Sequence, residues 1–358
     1  MPDINLNRDS EEGQSSMFPS PRRAALAGLA LLVAAGALTA CSSGKTTSAS
    51  TGGQQATKSG PLTIAYLQKQ GDQQYFVDEA AGAKAEAGKL GNVSIKVVDL
   101  GTDSNKAISA MSTEVGQQVD GIAIVVPDQK IGPQVIDAAN GAKIPLVASD
   151  DPISSGSGSA APFVGFDSVQ MGTSVGQEAA KLYKQAGWTP ADTKVLALYQ
   201  QGLSDCQQRE QGEEAGFTTG AGSLPPVVKV GTDNSVVDAQ NKTAAVLTAN
   251  PGVKHWVVWG CNDENETGGV TALQNHQVSP DNIIGVGLGA YLTCKDWKAG
   301  TKSGNKAALF IDGRSVGASA VQVLVDQLRN GKTLPPKTIA STAIVDSSNW
   351  QSAGVECS

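Results

Sequence analysis

The sequence predicts an α/β protein of two lobes, each a doubly wound parallel sheet. Short apolar strands without polar alternation are separated by helical patterns, which is typical of parallel sheets covered on both faces. The pattern restarts halfway along the chain, and 358 residues suffice for two domains of ordinary size. Hydrophobic residues make up 40% of the chain and aromatic residues only 4%, which favours α/β layers over a β-sandwich.

The first sixty residues are predicted to lie outside this fold. Residues 1–40 have the pattern of a signal peptide, because a pair of arginines precedes an apolar run rich in Ala and Gly. The motif LTAC, Leu38–Cys41, resembles the bacterial lipobox, in which the cysteine, here Cys41, is lipidated. Residues 41–60 are small and polar, as in a flexible tether. The alternatives are an uncleaved anchor helix and, from the arginine pair, twin-arginine export.

The N-lobe is predicted over residues 61–166. Its strands are continuous apolar runs, and its helices are rich in Ala or carry apolar residues at helical spacing. In chain order the predicted elements are strand Leu62–Leu67, helix Tyr75–Leu90, strand Val93–Leu100, helix Asn105–Gln118, strand Gly121–Val126, helix Ile131–Ala142 and strand Ile144–Asp150.

The C-lobe repeats this pattern over residues 167–309. Its predicted elements are helix Gln170–Gly187, strand Lys194–Tyr199, helix Gln207–Thr219, strand Val227–Val230, helix Asp238–Leu247, strand His255–Trp259, a further helix, and strands Ile283–Gly287 and Ala307–Ile311.

The last part of the chain is divided between the lobes. Helix Val316–Gly331 is amphipathic, and an apolar strand is predicted at Thr338–Val345. Residues 310–337 are assigned to the N-lobe and residues 338–358 to the C-lobe. Three chain crossings near Phe166, Leu309 and Thr338 would then form a hinge.

Polar side chains cluster where the predicted strands end. Ligands of open parallel sheets bind beyond the carboxyl ends of the strands, so two facing lobes place these side chains along a cleft. Sugar hydroxyls donate and accept hydrogen bonds, which carboxylate, amide and guanidinium groups match, and aromatic rings cover sugar faces. The polar segment NDENETGG, Asn262–Gly269, is expected to face the same cleft. The predicted ligand residues are Lys69, Gln73, Tyr75, Phe76, Asp150, Asp151, Phe166, Asp205, Arg209 and Asn262.

Several of these residues also have a purely structural interpretation. Asp150 and Asp151 precede a proline, which is typical of a turn or a helix cap. Asn262 fits an N-cap as well as a ligand residue. Arg209 fits a solvated helix charge, and Phe76 the core face of a helix.

Four stretches of the chain carry a family resemblance. They are LQKQ....YF at 67–76, VPD at 126–128, SDDP at 149–152, and the segment 250–274. With them, residues 62–358 resemble the periplasmic sugar-binding proteins of ABC importers, in particular the arabinose-binding branch. The resemblance implies the type I periplasmic-binding-protein fold, with lobes that close on the ligand and no catalysis. It also implies that Asp151 and its neighbour contact the ring oxygen and the anomeric hydroxyl of a sugar.

Four positions near the expected ligand depart from the family pattern, and Cys206, Cys261 and Cys294 also replace other residues. Gln73 replaces a Glu, Tyr75 a stacking Trp, Asp205 a Thr, and Gly289 a second ligand Asn. The resemblance therefore predicts a monosaccharide, and leaves open arabinose, galactose or a related aldose or polyol. The added acid at Asp205 disfavours a sugar acid.

Four cysteines remain after Cys41. An even number in an oxidising compartment predicts two disulfides, with three connectivities. Cys206 follows the first strand of the C-lobe and Cys261 ends the third, and these strands are neighbours in a sheet of order 2-1-3-4-5. Cys206–Cys261 with Cys294–Cys357 is therefore the preferred pairing, and Cys261–Cys294 the alternative.

The sequence also disfavours several classes of function. A net charge of -7 without a basic block disfavours nucleic acid as a partner. Two His and no close Cys pair predict no metal, and no cofactor is predicted. Adjacent aspartates cannot flank a glycosidic bond, so an enzyme is not predicted.

The predicted function is that of a lipid-anchored, monomeric solute-binding protein on the extracytoplasmic face of the cell membrane. It would capture a monosaccharide by hinge closure and deliver it to the membrane subunits of an ABC permease. The alternative is an extracytoplasmic module that reports sugar to a membrane signalling partner.

Overall fold

The computed structural model of the protein describes residues 57–357. The predicted signal peptide, Cys41 and most of the tether lie outside the described residues. Within residues 57–357, no helix combines the length and the apolar character needed to cross a membrane.

The N-lobe sheet is parallel throughout its six described strands. Its central strands are buried on both faces, as their continuous apolar sequences predict. In spatial order, the strands are β11 (Lys337–Ile339), β5 (Phe163–Gly165), β4 (Leu146–Ser149), β3 (Gly121–Ile124), β1 (Leu62–Lys69) and β2 (Val93–Gly101).

Helices cover both faces of the N-lobe sheet. One face carries a pair that packs closely together, and the other face carries a second pair with a smaller core between helices and sheet. The first pair is α1 (Gln74–Leu90) and α9 (Gly313–Asn330), and the second pair is α2 (Ser104–Gly116) and α3 (Gly132–Ala142), which follows a short 3-10 turn at Gln129–Ile131.

The C-lobe repeats the architecture, with one antiparallel edge strand. In spatial order its strands are β12 (Thr342–Asp346), β10 (Asn305–Ile311), β9 (Ile283–Gly289), β8 (His255–Gly260), β6 (Thr193–Tyr199) and β7 (Val227–Gly231). Strand β12 runs antiparallel to β10, whereas the other described strands are parallel. The covering helices are α4 (Ser168–Gln185), α5 (Ser204–Ala221), α6 (Val236–Ala249), α7 (Asp263–Asn275) and the short α8 (Cys294–Ala299), with a 3-10 turn at Pro280–Asn282.

The chain passes between the lobes three times: after β5, after β10 and between β11 and β12. The second and third crossings lie slightly later than predicted. Strand β10 continues to Ile311 and β11 to Ile339, because both strands remain paired with their neighbours beyond Leu309 and Thr338.

One predicted strand is wrong, and one observed strand was not predicted. Residues 338–345 do not form one strand, because the chain leaves the N-lobe sheet at Ala340 and joins the C-lobe sheet at Thr342. Strand β5 was not predicted, since its three residues are too few to show a periodicity.

Candidate functional site

A cavity of about 50 Å³ lies between the carboxyl ends of the two sheets. Small-molecule sites usually measure a few hundred Å³. The lobes are closed over the cavity: Ser204 Oγ donates to Gln129 Oε1 at 2.6 Å, and Arg314 pairs with Glu356 at 3.0 Å. A sugar-sized molecule therefore enters only when the lobes separate.

Nine of the ten predicted ligand residues line this cavity. They are Lys69, Gln73, Tyr75, Phe76, Asp150, Asp151, Asp205, Arg209 and Asn262. Phe166 is the exception, and its placement in the cleft was wrong. It does not line the cavity, and its side chain is 4% exposed and belongs to the hydrophobic core.

The N-lobe wall is built around two adjacent aspartates that follow β4. Successive residues of a strand point to opposite faces. Asp150, however, has a φ of 59°, in the left-handed region that Asp tolerates better than most residues. The resulting turn is closed by a hydrogen bond of 2.6 Å from Asp151 N to Ser149 O. Both carboxylates therefore reach the same cavity. The same two residues form the turn and line the candidate site.

Each aspartate has a buried partner. Lys69 Nζ, at the end of β1, donates to Asp151 Oδ2 at 2.9 Å, and both side chains are less than a tenth exposed. Tyr75 OH donates to Asp150 Oδ1 at 2.9 Å. The Lys69 ammonium also lies 5.9 Å from the ring centre of Phe76, which packs edge-on against Tyr75. This wall thus combines fixed charges with aromatic surface.

A group of buried polar side chains lies next to Asp150 within the N-lobe. Tyr66 OH and Ser149 Oγ are hydrogen-bonded at 3.1 Å, and Ser149 donates to Glu79 Oε1 at 3.2 Å. Burial raises the pKa of Glu79 well above its ordinary value, and the charge of Asp150 adds to the shift. Burial also raises the pKa of Asp150, and Asp151 adds to that effect. When Glu79 is protonated, the negative charge of this region lies on the aspartates that line the cavity and not on the buried Glu79.

The C-lobe wall comes from the first turns of α5. Asp205 and Arg209 are four residues apart and therefore share one face of the helix. Arg209 Nη1 donates to the carbonyl oxygen of Cys261 at 2.8 Å, which orients the guanidinium. In the described part of the chain, Asp205 Oδ2 and Arg209 Nε are buried without a hydrogen-bond partner. Because such atoms cost free energy, they are the best candidates for ligand contact.

Close helix packing fixes the position of α5. A Cβ added at Gly172 or Gly176 of α4 would overlap the backbone carbonyl of Arg209 or Glu213. Only glycine permits this approach. The backbone that carries the C-lobe ligand groups is therefore set rigidly against α4.

Asp205 has an unusual protonation equilibrium. Burial raises its pKa to about 7, Asp151 across the cleft adds to the shift, and Arg209 opposes it. A position in the first turn of a helix normally favours the negative charge. Burial and Asp151 outweigh that effect, so this carboxyl titrates near neutral pH when the lobes are closed.

Both disulfides of the preferred pairing are present. Cys206–Cys261 connects the first turn of α5 to the end of β8, with Cα atoms 5.0 Å apart. Strands β6 and β8 are hydrogen-bonded neighbours, as this pairing requires. Cys294–Cys357 connects α8 to the C-terminal tail, with Cα atoms 5.7 Å apart. The first bridge lies directly beside the cavity and holds its C-lobe wall together.

Asn262 is both a cavity residue and the N-cap of α7. Its Oδ1 accepts a hydrogen bond from Asn265 N at 3.1 Å, and its Nδ2 donates to Asn234 O at 2.9 Å. Each of these two atoms can form one more hydrogen bond. The structural and the ligand-binding interpretations are therefore compatible.

The expectation that the whole segment Asn262–Gly269 faces the cleft was wrong. Asp263 and Glu266 are fully buried within the C-lobe, because the helical period turns them towards β9. Asp263 Oδ2 accepts hydrogen bonds from Leu292 N at 2.6 Å and Thr293 N at 3.1 Å. Its role is to anchor the loop after β9.

Six further cavity residues, apart from the two disulfide cysteines, were not predicted. They are Gln70, Leu203, Asn234, Leu288, Tyr291 and Ile311. Asn234 follows β7 and Tyr291 follows β9, so the strand-end rule applied to every strand would have found both. Gln70 directly follows β1 and was identifiable in the same way.

Comparisons with known proteins show similarity in sequence and in fold. A model of the periplasmic binding protein domain matches residues 64–333. The ABC transporter L-arabinose-binding periplasmic protein of Azospirillum brasilense is 28% identical over 311 residues, which are 83% of this chain and 90% of the relative.

Two solved structures are similar over most of their length. An ABC transporter solute binding protein from Mycobacterium smegmatis with bound glycerol has a TM-score of 0.71 and 25% identity, covering 84% of this chain and 98% of that one. The Caulobacter myo-inositol binding protein bound to myo-inositol has a TM-score of 0.72 and 21% identity, with the same coverage. At that identity the second structure supports the fold alone.

Proposed function

Because the chain belongs to the periplasmic binding protein domain family, we propose that it is the solute-binding subunit of an ABC importer and captures a monosaccharide between its lobes. It would then deliver the sugar to the membrane subunits of the permease. The relatives described above are solute-binding proteins and not enzymes, in agreement with the prediction that the chain has no catalytic function.

The observation that carries this proposal is the convergence of complementary polar groups in one closed cavity. Two cationic side chains, Lys69 and Arg209, lie with three aspartates and aromatic rings at the meeting point of both sheets. Pairs of donors and acceptors match vicinal hydroxyls, and the rings match the apolar face of a sugar. Arg209 Nε and Asp205 Oδ2, which lack protein partners among the described residues, would complete their hydrogen bonding on the ligand.

Hinge closure is the proposed mechanism of capture. Three chain crossings connect the lobes, and direct contacts such as Ser204–Gln129 are available only in the closed form. A ligand that touches both walls binds the closed form more tightly than the open form. Its differential affinity shifts the population towards closure. A micromolar dissociation constant, about -8 kcal/mol, is well within reach of buried charge-assisted hydrogen bonds.

The proposed ligand class is arabinose, galactose or a related aldose or polyol. The Azospirillum relative supports arabinose. The carboxylate of Asp205 and the missing side chain of Gly289 make this cavity different from the family pattern, so a different neutral sugar is equally consistent. No finding favours the alternative of a sensing module.

Calorimetry on the mature protein with a panel of monosaccharides and polyols tests this proposal. We expect at least one member to bind in the micromolar range or tighter. Arg209→Ala should weaken that binding at least a hundredfold, since it removes a buried cation that interacts with the carboxylates of Asp150 and Asp205. Arg329→Ala is the matched control, because this arginine also donates to a backbone carbonyl but lies far from the cleft. A panel with no binder would refute the proposal, and equal effects of both variants would refute the site.

We further propose that Cys41 carries the lipid anchor and that residues 41–60 link it to the lobes. Cys41→Ser should move the protein from the membrane fraction to the soluble fraction and leave sugar affinity unchanged. Retention of the variant in the membrane fraction would contradict the anchor.

A further inference from the structure

A second cavity, of about 200 Å³, adjoins the smaller cavity between the lobes. Tyr75, Tyr291 and Ile311 line both cavities and therefore form the partition between them. The second cavity also has charged walls, including Arg314 and Glu356. Without the partition, the ligand cavity would extend into a larger polar space.

Tyr291 occupies space that Gly289 leaves free. A Cβ built on Gly289 would overlap the Tyr291 ring, and the φ of 141° at Gly289 also disfavours any other residue. Glycine at this position and the ring at Tyr291 are thus mutually dependent. The family pattern has an amide at position 289, and in this chain an aromatic ring stands in that place.

The position of the Tyr291 ring is strongly determined. Its hydroxyl donates to Glu264 Oε2 at 2.8 Å, and only 8% of the residue is exposed. The loop that carries it is anchored by the hydrogen bonds of Asp263 to Leu292 N and Thr293 N. Because both the hydroxyl and the loop of Tyr291 are fixed by hydrogen bonds, the ring acts as a rigid wall of the cavity.

We propose that Tyr291 is a specificity-determining residue that limits the ligand to a single sugar ring. This inference rests on the proposed sugar-binding function. Tyr75 cannot be assigned this role alone, because its hydroxyl holds Asp150. Ile311 belongs to a strand and presents a smaller side chain. Tyr291 is the partition residue whose truncation opens the second cavity and leaves the hydrogen bonds of Lys69 and Tyr75 to the two aspartates in place.

The test measures by calorimetry whether the wild type and the Tyr291 variants bind ligands of one or of two sugar rings. The ligands are the monosaccharide that the wild type binds best and a set of disaccharides that contain it in different linkages. Tyr291→Ala should bind at least one disaccharide tenfold or more tightly than the wild type does, and should bind the monosaccharide less tightly. Tyr291→Phe loses the bond to Glu264 but keeps the ring. Because the ring forms the partition, this variant should keep the wild-type size limit. Tyr291→Leu provides a second truncation if the alanine variant fails to fold.

The possible results separate this inference from the proposed function. A wild type that binds no sugar refutes the proposed function. A wild type that binds a monosaccharide, with folded Tyr291→Ala or Tyr291→Leu variants that reject every disaccharide as strongly as it does, refutes the role of Tyr291. A wild type that itself accepts disaccharides as tightly as the monosaccharide refutes it as well.

Discussion

The N-lobe and C-lobe walls of the cavity present similar polar groups but are stabilised by different means. In the N-lobe, Lys69 and Tyr75 already satisfy the two aspartates through buried hydrogen bonds. In the C-lobe, Arg209 and Asp205 each keep a buried polar atom without a partner among the described residues, and a disulfide holds the wall together. One wall is pre-assembled by its own hydrogen bonds. The other is fixed covalently and, in the proposed function, would be completed by a ligand.

The largest expected effect comes from breaking the N-lobe ion pair. Asp151→Ala removes a ligand group and leaves the Lys69 ammonium buried without its partner. Loss of one member of a buried pair costs about 3–5 kcal/mol, so we expect both sugar affinity and melting temperature to fall. Calorimetry and thermal unfolding measure the two. Asp137→Ala, at an exposed position of α3, is the control. Unchanged stability of Asp151→Ala would show that the N-lobe wall is not pre-assembled.

The second effect concerns the covalent support of the C-lobe wall. The Cys206→Ser/Cys261→Ser double variant removes a cross-link between residues 55 positions apart. Such bridges contribute roughly 2–4 kcal/mol, chiefly by restricting the unfolded chain. We expect a lower melting temperature and a weaker sugar affinity. Cys294→Ser/Cys357→Ser, which removes the bridge that does not line the ligand cavity, should lower the melting temperature with a smaller loss of affinity. Equal affinity losses in both variants would contradict a local role of the first bridge.

The smallest effect is a pH dependence that arises in the C-lobe wall. Burial raises the pKa of Asp205 to about 7 in the closed protein, with Asp151 adding and Arg209 opposing. A raised pKa means that the closed form holds the proton more tightly than the open form. Closure on a neutral sugar is therefore favoured below pH 7 and weakens as the pH rises through 7. Uptake of one proton corresponds to a gain in affinity of up to about tenfold from pH 8 to pH 6.

Titration of affinity against pH in the wild type and in Asp205→Asn measures this effect. The variant should flatten the profile. Glu264, whose pKa burial raises to about 7 with Asp263 adding to the shift, is a second group of the same kind, and Glu264→Gln separates its share. A ligand that carries an ammonium group would reverse the sign, since it would replace the proton beside Asp205. A profile that Asp205→Asn leaves unchanged would exclude Asp205 as the titrating group.

Most of the site could be predicted from the sequence, because it follows from one rule of parallel sheets. Residues at the end of a strand or just after it, such as Lys69 and Asp151, must lie at the carboxyl edge of the sheet wherever the helices pack. Phe166 also follows a strand, but that strand was too short to recognise, and the ring is buried in the hydrophobic core. Tyr291 was not predicted, because in its loop only the replacement of the family Asn by Gly289 was considered. The aromatic side chain two residues later, which fills the space, was not.

The sequence by itself determined the two-lobed α/β fold, the preferred cysteine pairing and the residues at most strand ends. These features depend on local hydrophobic periodicity and on the neighbour relations that parallel topology imposes. Only the tertiary structure decided which side chains find partners. The ion pair of Lys69 with Asp151 and the partition around Tyr291 each join residues far apart in the chain. The buried atoms of Asp205 and Arg209 that lack a partner within residues 57–357 likewise depend on tertiary packing. Their distances and burial depend on how closely the lobes and helices pack, which no local pattern of residues specifies.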